Sequence, residues 1–105
     1  MIEKIFCINP PKLSHRRPNM TKMFEKYNLN YEFVDGVYYT DDIIQKYGLY
    51  FYCPNKLKKP AREYGLKQSV MAISFSHYLC AKKILELNLT YGCIIEDDIV
   101  FLDNL

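Results

Sequence analysis

Tyr91-Gly92-Cys93-Ile94-Ile95-Glu96-Asp97-Asp98-Ile99-Val100-Phe101 sets three consecutive carboxylates into an apolar, β-branched run that otherwise reads as a buried strand. An ionised carboxylate in a poorly solvated position needs a partner or a metal. A strand that ends at the acids presents them at the open carboxyl edge of a sheet, where ligands of open α/β folds bind. If the strand continues through the acids, alternation puts Glu96 and Asp98 on one side and Asp97 on the other. The fold class this stretch points to is α/β.

Working outward from it, Asn88 with Leu89-Thr90-Tyr91-Gly92 makes the turn that enters this strand. Before the turn, Val70, Ile73, His77, Ala81, Ile84 and Leu85 recur as a stripe, which predicts a helix from Ser69 whose apolar face covers the sheet. At the start of the chain, Ile5-Phe6-Cys7-Ile8 reads as a strand ended by Pro10 and Pro11, which lack the backbone donors of a ladder. Pro18 then suits the first turn of a helix that buries Met20, Met23, Phe24 and Tyr27. Tyr31-Glu32-Phe33-Val34 reads as a second strand closed by the Asp35-Gly36 turn. Strand, helix, strand implies a right-handed crossover. Between them, Thr40 or Asp41 caps a short helix containing Ile43, Ile44 and Tyr47, stopped by Gly48. Leu49–Tyr52 and the Pro54–Pro60 stretch read as a loop, where Lys56, Lys58, Lys59 and Arg62 gather positive charge as a solvated face or an anion contact.

Half of the 105 residues are apolar and a quarter charged, which places the chain among globular sequences. That length suits one small domain or part of a larger one. The formal charge of +2 gives no polyelectrolyte signature, and no nucleic-acid partner is expected. Cys7, Cys53, Cys80 and Cys93 lie far apart, without the close pairs of a zinc knuckle or a thioredoxin-like motif. They read as buried thiols in a reducing compartment, so a cytoplasmic location is expected. The apolar run after Met1-Ile2-Glu3-Lys4 is too short for the core of a signal peptide, and no segment approaches the roughly 20 apolar residues of a membrane span.

Four blocks in order carry a family resemblance: Ile5-Phe6-Cys7-Ile8-Asn9 followed by Arg16-Arg17, then Phe33-Val34-Asp35-Gly36, Ser74-Phe75-Ser76-His77, and Ile94-Ile95-Glu96-Asp97-Asp98-Ile99. With these the chain resembles glycosyltransferase family 25, the lipopolysaccharide-biosynthesis and collagen galactosyltransferase group. The resemblance implies a Rossmann-like, GT-A type nucleotide-diphosphate-sugar domain, with residues 1–105 as its amino-terminal part. It also implies that the first strand and its arginine loop serve the nucleotide pocket, and that the acidic motif holds a divalent metal. The sequence departs from the family where Asn9 is followed by Pro10 and where Met71-Ala72-Ile73 precedes Ser74.

The expected activity is transfer of a hexose from a nucleotide-diphosphate sugar, UDP-galactose or UDP-glucose, to a hydroxyl of a glycan, a lipid-linked saccharide or a protein. Sugar transfer leaves extra negative charge on the departing phosphate, which Mg²⁺ or Mn²⁺ bridging phosphate and carboxylate oxygens offsets. Glu96 and Asp98 are the expected metal ligands, as hard oxygen donors. Asp97 and His77 are the expected catalytic residues, Asp97 bonding the sugar or completing the metal shell. His77 lies on an apolar stripe and reads equally as a core histidine. Arg16 and Arg17 are expected at the donor phosphates, where a guanidinium fork meets phosphate oxygens, although the sequence leaves open which faces inward. Asp35 is expected at ribose or base donors, or else as a plain turn residue. A non-catalytic remnant or interaction module and a metal-dependent phosphohydrolase are the alternative classes.

Overall fold

The computed structural model describes residues 1–47 and 68–101. Three parallel strands form one sheet in the order β2-β1-β3: β1 (Lys4–Ile8), β2 (Tyr31–Val34) and β3 (Gly92–Glu96). The central strand is fully apolar after Lys4 and its remaining residues are all buried, as a strand covered on both faces must be. Its register sets Cys7 opposite Phe33 and Ile95, and Ile8 opposite Val34 and Glu96.

A 3₁₀ segment, Pro11–Arg16, leads from β1 into α1 (Arg17–Lys26), with prolines in the first turn of each, where no backbone donor is missed. Met20 and Phe24 of α1 bury against Ile5 and Cys7, with Tyr31, Phe33, Cys93 and Ile95 around them. Phe24 stacks on Tyr31 with ring centroids 4.5 Å apart. Burying a side chain of this size is worth about 1.5–3 kcal/mol. The opposite face of the sheet, Phe6, Ile8, Val34 and Ile94, is covered by α3 (Gln68–Glu86) through Ile73, Leu79, Cys80 and Ile84. Helices on opposite faces are what two right-handed crossovers in opposite directions produce. A short α2 (Asp42–Tyr47) packs Ile44 on Met71 and Ala72 of α3. Both α1 and α3 end in the same way. Asn28 and Asn88 adopt left-handed φ of 53° and 54°, and the amides that follow, Leu29 and Leu89, reach back to the carbonyls of Phe24 and Ile84. This closes a Schellman turn at each end with asparagine in the usual glycine position.

The structure corrects two expectations. Of the expected stripe on α3, Ile73 and Ile84 pack on the sheet together with Leu79 and the buried Cys80, whereas Val70, Ala81 and Leu85 are exposed. The helix comes close to the sheet at two glycines. A Cβ on Gly36 would lie 3.2 Å from Ser76 Oγ, and one on Gly92 would lie 2.6 Å from Ile84 Cδ1. Ser76 itself donates to the Ala72 carbonyl and accepts from the Val37 amide. Secondly, β3 stops at Glu96, and Asp97 and Asp98 form a turn. Its ladder partner β1 ends at Ile8, and Pro10 and Pro11 beyond it offer no N–H to pair with. Ile99 and Phe101 still return to the α1 side, Phe101 lying 5.9 Å from the Phe24 ring, while Val100 is exposed.

Asp41 stands before α2 as expected, but its carboxylate accepts from the Tyr38 amide and pairs with Lys12. Cys7, Cys80 and Cys93 are free thiols. Gly48, Cys53, the expected loop and its basic cluster of Lys56, Lys58, Lys59 and Arg62 lie outside the described residues. Among the described residues no helix is long and apolar enough to cross a membrane.

Candidate functional site

The strand order reverses at β1: β2 is added on one side, and the chain then returns to place β3 on the other. Such a switch point opens a crevice beyond the carboxyl ends of the two strands, the general ligand position of open α/β sheets. Asn9 and Asp97 are the residues that follow β1 and β3 there. Extending the ladder by one step from the Ile8–Glu96 pair sets them side by side, on the α1 face already occupied by Cys7 and Ile95.

Asn9 is completely buried. Its Nδ2 donates to Asp97 Oδ2 at 2.8 Å and to the Leu13 carbonyl at 2.9 Å, and its Oδ1 accepts from Arg17 Nε at 2.6 Å. Two acceptors on the nitrogen side and a donor on the oxygen side fix the orientation of the amide. Its backbone also joins the neighbours, donating to the Val34 carbonyl and accepting from Gly36. Asp97 is 7% exposed at its side chain and takes Arg16 Nη1 on its other oxygen at 3.1 Å. A buried carboxylate thereby gains both a charged and a neutral donor, which is what its desolvation demands.

The two adjacent arginines have different tasks. Arg17 is held by Asn9 and by Asp35, at 2.7 Å from Nη2, and its guanidinium lies 5.0 Å from the Phe33 ring centre. It ties the end of β1 to the end of β2. Among the described residues Arg16 makes one side-chain bond, to Asp97, and at 41% exposed it leaves further N–H donors unengaged there. Asp35 is 75% exposed and has Arg17 as its ion-pair partner. Beside it, outside β2, an open cleft of about 570 Å³ is lined by Arg17, Phe33, Asp35, Lys82, Lys83 and Glu86, among others.

Glu96 and Asp98 flank Asp97 and are exposed, and among the described residues neither side chain has a hydrogen bond or ion pair. Arg16 and Arg17 offset Asp97 and Asp35, so among the described residues these two acids have no cation paired with them. The expected common face of Glu96 and Asp98 rested on a strand through the acids, and the strand ends before Asp97. Among the described residues no three His, Cys, Asp or Glu side chains converge as a metal site. His77 is half-buried on α3, and no hydrogen bond or ion pair joins it to Asn9, Arg16 or Asp97. Burial pushes the Cys7 thiol up to about 12, with the Asp97 charge adding to the effect, and burial pushes Cys80 up to about 11. Both are inert neutral thiols at physiological pH.

Of the site residues the sequence marks, Arg16, Arg17, Asp35 and Asp97 come to one edge around Asn9, a residue that carries no charge to mark it. The pattern that marks Asn9 is short. Ile5 and Cys7 set the core-facing period of β1, and Asn9 is the next position of that period, a polar side chain where an apolar one is due.

None of the curated proteins compared with the chain matches it. A family model does. The model described as "Glycosyltransferase family 25 (LPS biosynthesis protein)" matches residues 2–105, a span that takes in β1, the arginine pair, α3 and the acidic turn. On that match, the protein with this buried amide at its switch point belongs to glycosyltransferase family 25.

Proposed function

We propose that the crevice beyond β1 and β3 binds a nucleotide-diphosphate sugar, UDP-galactose or UDP-glucose, as the donor side of a GT-A type domain that passes the hexose to an acceptor hydroxyl. One observation carries the reading: Arg16 is anchored by Asp97 at the switch point and is 41% exposed, while the two acids that flank Asp97 in the chain have no side-chain partner among the described residues. Arg16 is the diphosphate contact in this reading, since a guanidinium meets phosphate oxygens in fork geometry. Arg17 is a support, holding the ends of β1 and β2 in place. Asp35 is left exposed for ribose hydroxyls while it pairs with Arg17.

A diphosphate facing Glu96 and Asp98, which have no paired cation among the described residues, needs a cation. The donor set fits Mn²⁺ or Mg²⁺, hard ions that commonly take one or two protein carboxylates and fill the remaining positions with phosphate oxygens and water. When bound, such an ion offsets the charge that develops on the leaving diphosphate. Asp97, with both oxygens engaged, orients Arg16; reaching the sugar itself requires one of its two bonds to open. His77 is kept as a site residue on the resemblance of the Ser74–His77 block. The free thiols of Cys7, Cys80 and Cys93 support a cytoplasmic setting.

Calorimetry with UDP-galactose and UDP-glucose, each with and without Mn²⁺, tests the reading. Donor binding that needs the ion, and that weakens about tenfold or more in Arg16→Ala and in Glu96→Ala/Asp98→Ala, is the expected result. Ion-independent binding, or affinity unchanged in the folded variants, overturns it. Release of inorganic phosphate without sugar transfer favours a phosphohydrolase, and a folded protein that binds no donor favours an interaction module.

A further inference from the structure

Glu96 and Asp98 have no side-chain partner among the described residues, so their placement is inherited from the backbone of the turn between them. Among the described residues two things hold that turn once the ladder has ended at Glu96. One is apolar, the packing of Ile99 and Phe101 against the α1 face. The other is the Asp97 carboxylate. Of its two bonds, the one from Arg16 comes from a side chain that is 41% exposed, whereas the one from Asn9 comes from a fully buried amide. That amide is itself locked by Leu13 and Arg17.

We infer that Asn9 is a positioning residue: its side-chain amide sets the acidic turn against the arginine loop, and donor affinity depends on it although it does not touch the donor. This rests on the donor-site reading above for its consequence, but the tethering of the turn is measurable without any ligand. The contact joins positions 88 residues apart in the chain, the end of the first strand and the end of the third. It works through a cross-strand pair on one face, the closest approach two parallel strands offer beyond their last ladder bonds.

The test uses the full chain and two variants. In Asn9→Asp the acceptor toward Arg17 is kept, but a carboxylate replaces the amide donor facing Asp97. In Asn9→Asp/Asp97→Asn the polarity is exchanged, so that an amide at 97 again donates to an acid at 9 while its oxygen still accepts from Arg16. The Leu13 carbonyl loses its donor in both, so their difference isolates the contact between positions 9 and 97.

Amide hydrogen exchange of the ligand-free protein is expected to speed up about tenfold at the carboxyl end of β3, Ile95 to Asp97, where the ladder with β1 runs into the turn, in the single variant, with β2 and α1 unchanged, and to return toward wild type in the exchanged pair. Calorimetry with UDP-galactose and Mn²⁺ is expected to follow the same order, about tenfold weaker and then recovered. If Asn9→Asp does not fold, Asn9→Ser, uncharged and too short to reach Asp97, takes its place. Unchanged exchange at the carboxyl end of β3 in a folded variant means that Ile99 and Phe101 hold the turn alone, and overturns the inference. A loosened turn with unaltered donor affinity overturns it as well. A wild-type chain that binds no donor while the turn still loosens in the variant fails the donor reading and upholds Asn9 as the tether.

Discussion

Arg16 and Arg17 are neighbours of identical chemistry, and replacing each by alanine is expected to give opposite rankings in stability and in donor binding. Arg17→Ala strips Asn9 Oδ1 of its donor in a fully buried position, a loss of about 1–3 kcal/mol. It also removes the contact with the Phe33 ring, about 0.5–1 kcal/mol at a partly exposed site. The bond to Asp35 adds little, because that carboxylate is 75% exposed and an exposed pair contributes about 0–1 kcal/mol. The expected total is about 2–4 kcal/mol. Arg16→Ala removes the charged partner of a buried carboxylate, but Asp97 keeps its bond from Asn9 and Arg16 itself is 41% exposed, so about 1–2 kcal/mol is expected.

Urea unfolding followed by far-UV circular dichroism measures both, with unchanged m-values as the condition that the comparison concerns the native state. The difference of about 1–2 kcal/mol corresponds to about 4–16 °C in Tm for a domain of this size. Arg17→Lys recovers little, since an ammonium cannot bond Asn9 and Asp35 through one planar fork. In calorimetry with UDP-galactose and Mn²⁺ the order reverses, Arg16→Ala losing more affinity than Arg17→Ala under conditions where both are folded. Equal destabilisation by the two substitutions, or a larger one from Arg16→Ala, refutes the division of labour that the distances imply.

Gly36→Ala is expected to cost about 1–3 kcal/mol and to exceed Gly92→Ala, because the new methyl meets buried Ile8 at 2.7 Å and the bonded Ser76, whereas at Gly92 it meets the half-buried and more adaptable Ile84; urea midpoints in the reverse order would contradict this. Iodoacetamide with mass-spectrometric mapping should modify Cys93 well before Cys7 or Cys80 in the native protein, and equal rates would contradict their burial. A thiol raised to about 12 in the fold stabilises fully below its unfolded value of about 8.5 and loses that contribution as pH climbs toward 12, so Cys7→Ala should flatten the alkaline fall in stability. Glu32 is held below the usual carboxylate range by its hydrogen bond from Lys83 and then by Lys4, a contribution present above about pH 4.3 and lost as pH falls through the folded value. Glu32→Gln should therefore cost about 1 kcal/mol or less at pH 7, diminish in high salt, and leave a shallower acid limb in denaturation monitored against pH.

What the sequence discloses differs by element for physical reasons. β1 and β2 are legible because proline and the Asp35-Gly36 turn bound them, and α1 because Pro18 and the spacing of Met20 and Phe24 mark its start and face. The face of α3 is legible in part: Ile73 and Ile84 face the sheet as their spacing predicts, whereas Ser76 and Cys80 are passed over because a small side chain gains weight only where the helix comes close, as Ser76 does at Gly36. The end of β3 is misread because a ladder stops when its partner stops, and that partner lies 88 positions upstream, where Pro10 and Pro11 end the pairing.

The same dependence on a distant strand governs the site. Each of Arg16, Arg17, Asp35 and Asp97 carries a charge that sequence inspection notices, and each can be placed near the carboxyl edge from its own strand alone. Asn9 is neutral, and nothing local assigns it a partner; its importance exists only once the parallel register brings position 97 beside position 9 on the α1 face. A polar residue on the core-facing period one step beyond a buried central strand therefore implies a polar partner one step beyond the neighbouring strand. In this sheet the acid that meets that demand is the middle one of three, which leaves Glu96 and Asp98 outside the buried knot with their oxygens open to solvent.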